Sequence, residues 1–369
     1  MRLHRIEKKA TGENEMKKTI VFTGGGTAGH VTPNLALIEK LDRSVWDIHY
    51  IGTSGMEKGL VEAVGDVTYH EIDSGKLRRY ASLKTLTMPI HVQNGYHQAK
   101  RILQELKPDV LFSKGGYVSV PVVAAAKGIC PVLTHESDYT PGLANRIDAH
   151  FADKVLVTFA DTVPLVKKGK GVHTGTPIRP ELYRGSREKA LAFTGLSGKK
   201  PVLLVTGGSL GAVAVNVAVR EALPELLKTF DVVHLCGKGK VDESVSAPGY
   251  LQYEYIREEM ADLFALADVV VSRAGANAVF ELLALHKPML LLPLSSDSTR
   301  GDQELNAAYF KKRGYARVLL ANEVSASAVL REVNALYDAR ETYIETMRHA
   351  EGVDGTDMIL KLIFEAANA

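Results

Sequence analysis

The feature that most constrains the fold of this 369-residue chain is an internal duplication. The segment PDVLFSKGGYVSVPVVAAAKGICPVLTHESD (residues 108–138) resembles ADVVVSRAGANAVFELLALHKPMLLLPLSSD (residues 267–297). Each segment has the pattern of a buried strand, a glycine turn, a helix, a proline and a second strand. The following pairs share one offset of 159 residues: Asp109 with Asp268, Ser113 with Ser272, Lys114 with Arg273, and Gly116 with Gly275. This duplication predicts an α/β fold with two similar Rossmann-like domains, each built on a parallel sheet.

A second repeat helps to place the domains. The glycine loop in VLLVTGGSLGAVAVN (residues 202–216) echoes the one at residues 20–34. Between them, the proline- and glycine-bearing stretch TGTPIRPELYRG (residues 174–185) marks the expected break. We therefore assign residues 16–178 to an N-terminal domain and residues 179–349 to a C-terminal domain.

The two ends of the chain carry separate expectations. Residues 350–369 contain a helix with an apolar face, which we expect to pack back on the N-terminal domain. Residues 1–15 are charged and lack the apolar stretch of a signal peptide, so we expect a disordered extension there.

The first glycine loop fits a phosphate site better than a dinucleotide site. Gly24, Gly26 and Gly29 spell G-x-G-x-x-G directly after an apolar strand. Dinucleotide-binding proteins add an acid about 20 residues on, at the end of the second strand, for the ribose hydroxyls. Here the second strand ends in Thr53 and Ser54. The missing acid disfavours a dehydrogenase and favours another phosphate ligand.

Several glycine turns are expected at the carboxyl ends of strands, where ligands bind in open parallel sheets. Each of these turns opens a helix: Gly24–Gly29, Gly115–Gly116, Gly207–Gly211 and Arg273–Ala276. Helix N-termini present free N–H groups and a positive dipole end, which suits anions. Two facing domains would therefore form a cleft for an anionic ligand, above all a diphosphate.

The composition gives no indication of a metal or a nucleic acid as a partner. The chain contains no Asp-x-Asp motif and no close histidine pair with metal-ligand spacing. Its formal net charge of +2 gives no overall attraction to nucleic acid. We expect that no metal cofactor is required, and that backbone amides with Arg179, Lys114 or Arg273 stabilise the diphosphate charge.

Seven strings together carry a family resemblance: GGGTAGHVTPNLAL, SKGGYVSVP, HESDYTPGLANR, TGTPIRPEL, TGGSLGA, SRAGANAVFELLAL and RGDQELNAAYF. In this order, they resemble the MurG family of bacterial cell-wall synthesis. The resemblance implies the GT-B architecture, in which two Rossmann-like domains face each other across a deep cleft. It also implies a metal-independent, inverting transfer of N-acetylglucosamine from UDP-N-acetylglucosamine to undecaprenyl-diphospho-N-acetylmuramoyl-pentapeptide, which converts lipid I to lipid II in peptidoglycan synthesis.

The resemblance also implies roles for individual residues. Thr27, Ala28 and Gly29 match the contact segment of the first loop, with Ala28 in place of the usual glycine. Glu281 matches the acid that binds the ribose hydroxyls, the group that the first loop lacks. The other matched positions are Arg179 for the donor diphosphate, Ser209 in the second loop, Ile256 for the uracil edge, Ala276, Asn277, Ala278, Val279 and Phe280 for the nucleotide, and Gln303 for the sugar hydroxyls.

Attack by an acceptor hydroxyl requires a general base. His30, at the end of the first loop, is the best candidate, and Glu136 and Asp138 are rivals. Asp138 stands where many relatives have asparagine. A carboxylate can accept a hydrogen bond from a sugar hydroxyl, but it cannot donate one as an amide does.

A lipid acceptor requires a membrane surface. Residues 74–92 (SGKLRRYASLKTLTMPIHV) mix basic and apolar side chains, which suits contact with anionic lipid. A helix packed on the domain would give the same pattern. The resemblance favours the membrane interpretation and a peripheral position on the cytoplasmic face of the plasma membrane.

Three other functions fit parts of the sequence. A related glycosyltransferase would add the sugar to diacylglycerol, and a UDP-sugar 2-epimerase would share the two-domain shape. A non-catalytic nucleotide sensor is the third, disfavoured by the intact loops and by His30.

Overall fold

The computed structural model describes residues 17–75, 88–166, 169–208, 211–295 and 301–369. The expected extension at residues 1–15, Ser209 and most of the segment 74–92 lie outside these ranges.

The N-terminal domain is built on a parallel sheet with seven strands in the described residues, in the order β3-β2-β1-β4-β5-β6-β7. The strands are β1 Lys18–Thr23, β2 Trp46–Gly52, β3 Thr68–Glu71, β4 Val110–Ser113, β5 Val132–Glu136, β6 Lys154–Val157 and β7 Gly171–His173. The helices of this domain are α1 Thr32–Lys40, α2 Met56–Glu62, α3 Met88–Leu106, α4 Ser119–Ala126 and α5 Leu143–Phe151. Every residue of the central strands β4 and β5 is buried, as expected for strands covered by helices on both faces.

The C-terminal domain repeats this plan with six described strands in the order β10-β9-β8-β11-β12-β13, again all parallel. The strands are β8 Val202–Thr206, β9 Asp231–Leu235, β10 Tyr250–Tyr253, β11 Val269–Ser272, β12 Met289–Leu291 and β13 Ala316–Val318. The remaining helices are α6 Arg187–Thr194, α7 Val213–Thr229, α8 Met260–Leu266, α9 Ala276–Ala284, α10 Asp302–Lys312, α11 Ala326–Asp338, α12 Arg340–Arg348 and α13 Thr356–Ala366. The predicted fold class, two parallel-sheet Rossmann-like domains, is confirmed.

The duplicated segments form β4 with α4 and β11 with α9. The two matched aspartates do the same work, because Asp109 accepts a hydrogen bond from the backbone N–H of Thr19 and Asp268 one from that of Val202, each at 2.7 Å. Each carboxylate thereby ties two central strands together at their amino ends. The constant offset ends in the helices, since the path from β11 to β12 is two residues shorter than the path from β4 to β5.

The last helix, α13, returns to the N-terminal domain. Ile359, Leu362 and Ile363 lie in the same apolar cluster as Ile20 and Phe22 of β1. This burial fixes the end of the chain to the first sheet, although the residues just before it belong to the second domain.

The strand orders determine where a ligand can bind. In each sheet the connections diverge on either side of one central strand pair, β1 with β4 in the first sheet and β8 with β11 in the second. The loops at the carboxyl ends of such a pair leave a crevice between them. All the glycine turns singled out in the sequence follow these four strands.

Candidate active site

A cavity of about 360 Å³ lies between the two domains. Its walls come from the loops after β1 and β5 on one side and from the starts of α9 and α10 on the other. The lining residues are Thr27, Gly29, His30, Glu136, Ser137 and Asp138 of the N-terminal domain, and Gly275, Ala276, Asn277, Ala278, Asp302 and Gln303 of the C-terminal domain. The fold thus brings His30, both rival bases and Gln303 around one space.

The first glycine loop is packed tightly against the loop after β4. Gly26 has a φ of +84°, and a Cβ there would lie 2.4 Å from the ring of Tyr117. Gly116 has a φ of +83°, and its Cβ would lie 2.3 Å from the carbonyl oxygen of Gly25. Only glycine permits this approach. Ala28 opens a short 3-10 turn and is not among the residues with positive φ, so an alanine fits there without strain.

His30 ends that turn and faces the cavity. Its Nδ1 lies 2.8 Å from the hydroxyl oxygen of Thr27. In the tautomer with a proton on Nδ1, the ring donates to this hydroxyl and Nε2 carries a lone pair. That tautomer is the one that can accept a proton from a substrate hydroxyl.

Glu136 lines the cavity, but its carboxylate already has other partners. It accepts hydrogen bonds from the backbone N–H groups of Asp138 at 2.9 Å and Gly142 at 2.8 Å, and from the side-chain amide of Asn145 at 2.8 Å. Burial, with the nearby charge of Asp138, raises the pKa of Glu136, while these three donors act in the opposite direction. The contacts fix the loop after β5, which is a structural role.

Asp138 faces the second domain. Its carboxylate accepts a hydrogen bond from the side-chain amide of Asn306 at 3.1 Å. Asn306 is fully buried, accepts from the backbone N–H of Tyr139 and donates to the carbonyl of Ala274, each at 3.0 Å. Asp138 is therefore attached to α10, in an arrangement that sequence reasoning did not reveal.

Glu281 and Arg179 are joined to each other. Nε and Nη2 of Arg179 lie 2.8 and 3.0 Å from the two carboxylate oxygens of Glu281, a bidentate pair. The guanidinium must share or release Glu281 before it can reach a diphosphate. This pairing fixes the direction of the carboxylate, which the sequence could not predict because the two residues are 102 positions apart.

Arg179 and Ile256 line a second, smaller cavity of about 160 Å³ at the carboxyl edge of β8 and β9. Ile256 is 7% exposed, and Leu235 and Met260 add apolar surface. The size and partly apolar wall of this cavity suit a flat heterocyclic base.

The positions matched at the start of α9 divide into two groups. Ala276, Asn277 and Ala278 line the cavity between the two domains. Val279 and Phe280 are buried in the core of the second domain, where Phe280 packs edge-on against Phe159. Contacts of these two residues with a nucleotide are therefore limited to their backbone atoms. Gln303 reaches the cavity while its side-chain oxygen accepts from the backbone N–H of Leu294 at 3.0 Å.

Arg273 differs from the other candidate cations because its guanidinium has no hydrogen-bond or ion-pair partner among the described residues. Burial lowers its pKa. Arg179 is paired with Glu281, and Lys114 is enclosed in the first domain. Arg273, at the end of β11, is thus a cation available to an anionic ligand.

Two features are absent from the described ranges. Within residues 17–75, 88–166, 169–208, 211–295 and 301–369, no three histidine, cysteine or acidic residues are arranged to hold a metal ion. Within the same ranges, no helix has the length and apolar character needed to cross a membrane.

Known proteins resemble the chain over almost its whole length. Residues 20–157 match the glycosyltransferase family 28 N-terminal domain, and residues 202–361 match the glycosyltransferase family 28 C-terminal domain. A Lachnospira eligens protein is 53% identical over 349 residues, 94% of this chain and 98% of that protein. It is named UDP-N-acetylglucosamine--N-acetylmuramyl-(pentapeptide) pyrophosphoryl-undecaprenol N-acetylglucosamine transferase.

A second relative and one solved structure also resemble the chain over almost its whole length. The Lachnoclostridium phytofermentans protein of the same name is 53% identical over 351 residues, 94% of this chain and 99% of that protein. The crystal structure of Acinetobacter baumannii MurG has a TM-score of 0.74 and 25% identity, over 95% of this chain and 100% of that one.

Proposed function

This chain belongs to glycosyltransferase family 28, and from that membership and the geometry of the cleft we propose a specific reaction for it. The protein transfers N-acetylglucosamine from UDP-N-acetylglucosamine to undecaprenyl-diphospho-N-acetylmuramoyl-pentapeptide, the step from lipid I to lipid II. The observation that supports it best is the cavity in which His30 of one domain faces the helix start of α9 in the other.

The donor is proposed to bind mainly to the second domain. The uracil base enters the smaller cavity beside Ile256. Glu281 accepts hydrogen bonds from the ribose hydroxyls. The diphosphate lies at the N-terminus of α9 and the loop after β8, where N–H groups and Arg273 offset its charge. Gln303 contacts the sugar hydroxyls. Ser209 lies outside the described residues, and its role in the second glycine loop stays a proposal.

The reaction itself is an inverting displacement. The acceptor hydroxyl loses its proton to Nε2 of His30 as its oxygen bonds to the anomeric carbon. The bond from that carbon to the diphosphate oxygen breaks on the opposite face, and UDP leaves with the electron pair. Backbone dipoles and arginines stabilise the departing charge, so we propose that no metal ion is required.

A membrane surface delivers the acceptor in this proposal. The basic and apolar segment 74–92 contacts anionic lipid at the cytoplasmic face, and the protein is peripheral. Most of this segment lies outside the described residues, so the support comes from its composition.

One assay separates the proposed reaction from its alternatives. Radiolabelled UDP-N-acetylglucosamine is mixed with the lipid-linked muramoylpentapeptide, with diacylglycerol, or with no acceptor. We expect label in the lipid product, and UDP release, only with the muramoylpentapeptide. Label on diacylglycerol would indicate the related glycolipid enzyme, and conversion of the donor without acceptor would indicate an epimerase.

A further inference from the structure

Lys114 is a buried cation that the proposed reaction does not use. It follows β4 directly, and the residue is 1% exposed. Its ammonium contacts Nδ1 of His135 at 2.6 Å and the hydroxyl oxygen of Ser137. Both partners are neutral groups. An ammonium is costly to bury, and a nonpolar side chain of similar size would avoid that cost.

The neighbours of Lys114 determine the direction of each hydrogen bond. Nε2 of His135 lies 2.8 Å from the carbonyl oxygen of Gly175, so this nitrogen carries the ring proton. Nδ1 must then accept from Lys114. The hydroxyl oxygen of Ser137 also accepts from Lys114, since an ammonium has no lone pair to offer.

The proton of Ser137 is therefore directed away from Lys114 and across the cleft. The Ser137 hydroxyl donates to the side-chain oxygen of Asn277 at 3.2 Å. The side-chain nitrogen of Asn277 donates in turn to the carbonyl oxygen of Gly29 at 2.9 Å. Donation runs one way, from Lys114 through Ser137 and Asn277 to Gly29, and a charged donor strengthens such a chain.

This chain of hydrogen bonds joins two parts of the proposed active site. Gly29 immediately precedes His30, and Asn277 lies in the first turn of α9, which faces the donor. Burial lowers the pKa of Lys114 to about 7, although the carboxylates of Glu136 and Asp138 act to raise it. In its protonated form, Lys114 is the first donor of this chain of hydrogen bonds and sets the direction of the bonds that follow.

We propose that Lys114 is a positioning residue for the transfer reaction: through Ser137 and Asn277 it holds the loop of His30 at a fixed distance from the helix that binds the donor. The inference rests on the proposed function. Loss of Lys114 misplaces the general base, His30, relative to the sugar without removing any contact with the donor. Small misplacements of reacting groups cost up to about 100-fold in rate.

A double-mutant cycle tests the proposal. Lys114→Met and Asn277→Ala are each expected to lower kcat by about 10- to 100-fold, and Lys114→Met, which touches no donor group, is expected to leave the Kd for UDP within about 3-fold. The double variant is expected to be no slower than the slower single variant, because both break the same chain. Lys127→Met, an exposed lysine on the same strand–helix unit, is the matched control and should keep wild-type turnover.

Three outcomes would overturn the proposal: turnover of Lys114→Met within 2-fold of wild type, losses of kcat that multiply in the double variant, or a loss of UDP affinity in Lys114→Met as large as its loss of turnover. If Lys114→Met does not fold, Ser137→Ala replaces it, since this change breaks the chain but leaves Lys114 and His135 in contact. An inactive wild-type protein would instead contradict the proposed function.

Small-angle X-ray scattering gives a readout that does not depend on activity. Loss of the bridge should widen the cleft, so Lys114→Met, Ser137→Ala and Asn277→Ala should share a larger radius of gyration than wild type and Lys127→Met. An unchanged radius in all three variants would also contradict the proposal.

Discussion

Glu281 offers the sharpest test of the donor site, because its carboxylate is already oriented. The bidentate pair with Arg179 uses both oxygens and leaves their remaining lone pairs directed away from the guanidinium. The side chain of Glu281 is 13% exposed, so water competes weakly for it. The change Glu281→Ala removes the group proposed to accept hydrogen bonds from the ribose hydroxyls and leaves Arg179 with only the more distant carboxylate of Glu181.

The size of the effect follows from the hydrogen bonds lost. A hydrogen bond to a charged group contributes about 1.5–3 kcal/mol net. Arg179 shares the carboxylate, so we count the loss as one such bond. At about 1.4 kcal/mol for each factor of ten, Glu281→Ala should weaken UDP binding by about 10- to 150-fold.

Isothermal titration calorimetry with UDP measures this directly, without acceptor or turnover. Glu181→Ala is the matched control, because Glu181 lies 3.7 Å from the same guanidinium but its side chain is 52% exposed. We expect the control to bind UDP like wild type. Unchanged affinity in Glu281→Ala, or an equal loss in Glu181→Ala, would refute the assignment of Glu281 to the ribose.

Four further outcomes are expected. His30→Ala should lower turnover by about 10²–10⁴-fold with UDP affinity and thermal stability nearly unchanged, measured by the radiolabel assay and a melt; retained turnover would direct attention to Glu136 and Asp138. Activity should persist in excess chelator, and a loss restored specifically by Mg²⁺ or Mn²⁺ would contradict metal independence. Ile363→Ala should cost about 2–5 kcal/mol in urea unfolding, whereas Met358→Ala, on the exposed side of α13, should cost far less. Burial and nearby Arg220 lower the pKa of His234 to about 3, so between about pH 6.5 and 3 only the unfolded chain gains this proton. The contribution of His234 to stability should therefore fall with decreasing pH by about 1.4 kcal/mol per unit, and His234→Gln should show a shallower decline in urea unfolding than wild type.

The fold could be predicted from the sequence because its signals are local. Apolar runs such as those of β4 and β11 are short and continuous, and each is followed at once by a glycine turn and a helix. The duplication then implied a second sheet like the first. Strand type, order of elements and glycine conformation depend on neighbours within a few residues, and such information is present in the sequence itself.

The candidate site could be predicted in outline only. The sequence singled out His30, at the end of the first glycine loop, with Glu136 and Asp138 as rival bases, and the structure brings all three to one cavity. It did not reveal that the oxygens of Glu136 are occupied by the loop after β5, or that Val279 and Phe280 are core residues. A carboxylate or an apolar residue near a turn has the same local sequence pattern whether it contacts a ligand or supports the fold.

Tertiary structure alone decided the contacts between distant segments. The pairing of Arg179 with Glu281, the bridge from Asn277 to Gly29, and the buried end at Lys114 each join residues that lie far apart along the chain or on different domains. The bridge from Asn277 to Gly29 depends on how the two sheets are oriented across the cleft, whereas the other two contacts depend on packing within one domain. No local periodicity encodes that orientation, because it results from the packing of whole domains and of α13 on the first sheet.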